Sequence, residues 1–152
     1  NVKFPTLEMR ICDTCTSLND AISIAALYLS VIHMACRLRR ENKRWRIYSR
    51  MLISENRWRA QRYGIEKSLV DFGKSQLVSY EKLLDELIDL VRNDAKELNC
   101  MNELKKIKNI CKVGTSADKQ IKIYKEEIKK TNNKKEALEK VLKFLIKETV
   151  NF

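Results

Sequence analysis

Three glycines and one proline in 152 residues constrain this chain more than any other feature of its sequence. Backbone so poor in residues that break regular structure favours long helices joined by few tight turns. The same scarcity leaves no glycine-rich phosphate loop, and neither a Walker-type nor a dinucleotide fingerprint occurs. A hydrophobic share of 44% is that of an ordinary globular protein, and the length suffices for one domain with a core. The expected fold class is mostly α: one short N-terminal strand, then about six helices, the last three forming a small bundle.

Pattern along the chain gives the elements. Residues 5–12 read as the strand, and Thr14-Cys15-Thr16-Ser17 as a turn into a helix, with Ser17 or Asn19 as N-cap and Asp20 in the first turn. That helix runs to about Arg39 and is apolar on nearly every side, which predicts burial between a sheet and other helices. Its apolar run, Ala21 to Cys36, is shorter than the roughly 20 residues that span a bilayer. A second helical stretch covers Arg44 to Tyr63, with Gly64 as its stop. The mixed segment Ile65 to Tyr80 contains a strand-like piece at Gln76 to Val78, with Gly73 permitting a bend. A helix from Glu81 to Leu98 carries an apolar stripe at Leu83, Leu84, Leu87, Ile88 and Val91. Cys100 to Val113, Ala117 to Lys130 and Lys134 to Val150 complete the set, the last three being the expected bundle.

Five cysteines, an odd number without framework spacing, point to a reduced, cytoplasmic setting. A zinc site at Cys12-x-x-Cys15 would need two further ligands, and the sole histidine, His33, sits inside the apolar run. His33 is therefore expected to be a satisfied core or boundary residue. The net charge of +11 is concentrated: between Arg37 and Lys67 there are eleven basic and three acidic residues, nearly all the basic ones arginine. The last third is lysine-rich instead, which suits a solvated face.

The candidate chemistry lies in the first strand. Alternation puts Glu8, Arg10 and Cys12 on one face and Leu7, Met9 and Ile11 on the other. A carboxylate beside a guanidinium makes a surface ion pair in its plainest use. The same pair also suits a magnesium nucleotide, because Mg2+ takes carboxylate oxygens and arginine grips phosphate with a planar fork.

A resemblance favours the second use. Phe4-Pro5-Thr6-Leu7-Glu8-Met9-Arg10-Ile11-Cys12-Asp13, then Leu18-Asn19-Asp20-Ala21, and later Asn56-Arg57-Trp58-Arg59-Ala60-Gln61-Arg62-Tyr63-Gly64 resemble the carboxylate-amine ligases of the type 2 glutamate-cysteine ligase family. The likeness runs from about Phe4 to about Leu90. It implies that the strand is a remnant of an α+β ligase sheet and that ATP and Mg2+ are the cofactors. It implies further that Glu8 is the metal ligand and Arg10 the catalytic group on the transferred phosphate. Arg57, Arg59 and Arg62 join Arg10 at the nucleotide, and Asn56, Trp58 and Tyr63 form the site wall. Residues 1–92 then belong to the ligase catalytic domain and 93–152 to a lysine-rich helical extension.

Such ligases are more than twice as long, with most of the sheet, the other carboxylates and the substrate pocket ahead of the Glu-x-Arg strand. The chain opens at Asn1, close to that strand, so the expectation is a C-terminal portion that is inactive alone. Its expected partners are amino acids, ATP and the missing N-terminal portion, with no membrane. The alternative is a non-catalytic basic helical module for a protein or nucleic acid, in which the arginines with Trp45, Trp58 and Tyr63 contact phosphates and stack on bases.

Overall fold

In the computed structural model, which describes residues 3–150, helix α1 (Leu18–Arg40) is the spine. Ser17 caps it, its hydroxyl accepting from the Asp20 amide at 3.3 Å. Its far end is set by Asn42 at φ 55°: the Asn42 amide bonds to the Arg39 carbonyl and the Lys43 amide to the Leu38 carbonyl. That is a Schellman closure with asparagine in the left-handed position usually given to glycine. Between these caps the helix extends past the apolar run to 23 residues, long and apolar enough by length and composition to cross a membrane.

One face of α1 is built from small residues. Ser23, Ala26 and Ser30, with Met34 below them, are buried, and the two serine hydroxyls bond to the Asn19 and Ala26 carbonyls. The small side chains let α4 (Arg92–Glu97) and α5 (Met101–Lys106) approach closely. The opposite face, Leu18, Ile22 and Leu29, is exposed. Burial on nearly every side, as the composition predicts, is thus not found: no sheet covers this face in the described chain.

Helix α2 (Arg50–Tyr63) ends at Gly64, whose φ of 57° suits the residue that lacks a Cβ. It is shorter than the expected 44–63, because residues 43–49 leave the Schellman turn as irregular, mostly exposed chain. An antiparallel hairpin follows, β1 (Leu69–Asp71) and β2 (Gln76–Val78), with Leu69 opposite Val78 and Asp71 opposite Gln76. The Asp71 carboxylate closes the turn by accepting from the Gly73 and Lys74 amides at 2.8 and 3.0 Å.

The next helical stretch comes in two pieces, α3 (Tyr80–Leu90) and α4, hinged at Val91. A second Schellman closure ends α4, with Asn99 at φ 54° and the Cys100 amide on the Ala95 carbonyl. Then come α5 and α6 (Lys108–Val113). Met34, Ile88, Val91, Ala95, Leu104 and Ile107 form the buried core, so the core continues across residue 92. Counting α3 with α4 and α5 with α6, the expected six helices are present.

The last two helices, α7 (Ser116–Thr131) and α8 (Lys134–Val150), form a hairpin. Thr115 and Asp118 make a capping box, and Asn132 at φ 51° is the left-handed stop. The third member of the expected bundle, 101–113, packs on α1 and α3 instead, because its Leu104 and Ile107 fill the core beside Met34.

Candidate functional site

Residues 5–12 form no strand. With no neighbouring strand among the described residues, their amides and carbonyls have no ladder to join, and the segment is irregular and mostly exposed. Glu8 and Arg10 nonetheless face the same side, the Arg10 Nη2 donating to Glu8 Oε2 at 2.8 Å. Their side chains are 54% and 80% exposed, so the pair is open to solvent rather than sunk in a crevice. Cys12 turns to Met9, Sγ to Sδ 3.8 Å. Among the described residues no three His, Cys, Asp or Glu side chains converge as a metal site. Glu8 supplies one carboxylate, a ligand type that Mg2+ accepts, and would need the ion's other oxygen ligands to come from outside these residues.

The segment 56–63 divides into two roles. The Asn56 side-chain amide donates to the Val70 carbonyl at 2.8 Å while its oxygen accepts from the Val70 amide at 2.7 Å. It thereby pairs with the free edge of β1 as a third strand would. Arg59 Nε donates to the Ser68 carbonyl at 2.8 Å, and its Nη1 lies 3.4 Å from Glu55. Asn56 and Arg59, three apart on one helical face, fasten α2 to the hairpin. Trp58 and Tyr63 meet edge to face with centroids 5.5 Å apart. Arg57 and Arg62 are exposed and have no ion pair or hydrogen bond among the described residues. Among the described residues no hydrogen bond or ion pair joins the segment 56–63 to Glu8 or Arg10.

Sequence reasoning missed the most tightly built polar group. Asp94 is fully buried and receives Arg37 in a two-pronged pair, Nε at 3.0 Å and Nη2 at 2.9 Å, and His33 Nδ1 at 2.9 Å. The Arg37 guanidinium, aided by His33, holds the Asp94 carboxyl down at about 2 against the cost of burial. His33 is thus satisfied, as its place in the apolar run predicts. The i, i+4 spacing of His33 and Arg37 was legible; the acid they share, 57 residues beyond Arg37, had no local signal. All five cysteines are free thiols.

The model of the glutamate-cysteine ligase family 2 matches residues 1–143. This chain belongs to that family. Among its relatives named "Putative glutamate--cysteine ligase 2", the protein of Rhodospirillum rubrum is 47% identical over 97% of this chain and 38% of its own length. Those of Jannaschia sp. and Chloroflexus aggregans are 44% and 36% identical, over 95% and 97% of this chain and 38% and 36% of theirs. The chain therefore spans less than two fifths of the length of these relatives. No solved structure matches it.

Proposed function

We propose that this chain is the C-terminal portion of an ATP-dependent carboxylate-amine ligase of the glutamate-cysteine ligase type, working in the cytoplasm and inactive alone. The observation that carries the reading is the family match over residues 1–143 together with Glu8 and Arg10 side by side and open to solvent. Bound Mg2+ would neutralise charge on the transferring phosphoryl group. Glu8 would hold the metal. Arg10, the catalytic group of this chain, would grip the phosphate oxygens with its planar fork. Arg57 and Arg62 would add contacts to the nucleotide, while Asn56, Arg59, Trp58 and Tyr63 buttress them against the hairpin.

Surface area supports a missing partner portion. The chain exposes 11847 Å2, against about 8,000 Å2 for a compact protein of its mass. Much of that surface is apolar: Leu7 and Ile11 ahead of α1, and Leu18, Ile22 and Leu29 along it. We take the remaining three fifths of the ligase to cover these residues, with 5–12 joining its sheet as a strand.

The test is ADP release. The complete reading frame, given ATP, Mg2+ and pairs of amino acids, is expected to turn over with glutamate and cysteine or a close pair, and this chain alone to release none. Turnover by this chain alone would contradict the reading, as would a complete protein that releases ADP with no amino-acid pair.

A further inference from the structure

At the end of α1 lies a cleft that shares no residue with the proposed site. It measures about 550 Å3, within the range of small-molecule sites, and is lined by Leu38, Lys43, Arg44, Trp45, Arg46 and Tyr48. Its shape is fixed by local structure. Leu38 packs against the core, and the Schellman closure at Asn42 turns the chain so that residues 43–48 come back over the end of α1. The ring of Tyr48 rests on Phe72 of the hairpin turn, centroids 4.9 Å apart, which anchors the far wall. Lys43 is paired with Glu41 at 2.9 Å. Arg44 and Arg46 are exposed and have neither an ion pair nor a hydrogen bond among the described residues. Trp45 between them is 50% exposed.

Two unpaired guanidinium groups two residues apart are matched to the oxygens of a polyphosphate. A half-open indole and a phenol ring in the same cleft offer flat faces on which a base can stack. Neither half alone selects a ligand; together they describe an anion with an aromatic head. We propose that this cleft binds a nucleoside polyphosphate, with Arg44 and Arg46 on the phosphates and Trp45 against the base. The choice of a nucleotide over another aromatic anion rests on the ligase reading; the cleft itself does not. Arg44, Trp45 and Arg46 are then nucleotide-binding residues additional to Glu8, Arg10 and the segment 56–63.

Trp45 reports on its own site, since the chain has two tryptophans and Trp58→Phe removes the other. In that background ATP, titrated without metal, should quench Trp45 emission saturably. Tripolyphosphate should displace ATP and restore the emission, and adenosine should bind much more weakly than ATP. Arg44→Ala/Arg46→Ala should weaken ATP by about tenfold or more, as expected for loss of charge-assisted hydrogen bonds. Both side chains are exposed, so circular dichroism should match the parent. Lys140→Ala/Lys143→Ala removes the same charge from α8 and should leave ATP affinity unchanged. Absence of saturable quenching, equal weakening by the lysine variant, or tighter binding of a single-stranded oligonucleotide than of ATP would each overturn the proposal. Because binding is read on this chain without turnover, its failure leaves the ligase reading standing, and failure of the ligase assay leaves the cleft to be judged on its own titration.

Discussion

At the scale of single residues, Asp94 carries the sharpest consequence. A fully buried carboxylate held by Arg37 and His33 is satisfied only while all three are present. Asp94→Ala strips the partly exposed Arg37 and His33 of their shared partner and should cost about 1–3 kcal/mol in unfolding free energy, measured by urea titration. The pH dependence follows from the lowered carboxyl. With a folded value of about 2 against an ordinary 3.8, the pair's contribution is fully present above pH 4. It is lost as pH falls from there through about 2, so the melting temperature should drop over that window, and Asp94→Asn should flatten the drop. A melting curve of the parent independent of pH between 4 and 2 would contradict the assignment. His33 was legible as a satisfied residue because a lone histidine in an apolar run needs a partner; which acid supplied it depended on α4 packing across α1.

Among the elements, the shortage of glycine has a structural answer. Helix ends that glycine commonly terminates are closed here by Asn42, Asn99 and Asn132, each at a φ between 51° and 55°. The break at 131–133 was readable, since the expected helices end at Lys130 and resume at Lys134. The stop at Asn42 was not, since charged residues on both sides of it continue a helical pattern and the signal is one asparagine. Missing it merged 44–49 into α2 and hid the cleft. Asn42→Ala and Asn99→Ala should each destabilise by about 1 kcal/mol and Asn→Gly at the same positions by none, judged from chemical denaturation. The hairpin teaches the same lesson. Its second strand was visible from Gln76 to Val78, whereas β1 owes its place partly to Asn56 gripping both backbone groups of Val70. Asn56→Ala should raise amide exchange at Val70 and loosen α2 from the hairpin while leaving α7 and α8 unaffected.

For the whole molecule, the mostly α class and the helix count were legible because helical periodicity is local. The failure at 5–12 was not a misreading of alternation, since Glu8 and Arg10 do share a side. A strand exists only with a partner, and alternation says nothing about whether one lies alongside. The accessible area, about half as large again as a compact chain of this mass requires, places the same shortfall on the molecule as a whole. Amides of residues 5–12 should therefore exchange almost unprotected in this chain and become protected in the complete protein. The role proposed for Glu8 is that of a ligand of catalytic magnesium in the complete protein. The most direct measurement is ADP release by Glu8→Gln in the complete reading frame beside the parent, at saturating amino acids and over a range of Mg2+. A fall of about a hundredfold or more, partly recovered at high Mg2+, is the expected result, and a variant that turns over at the parental rate would contradict the account.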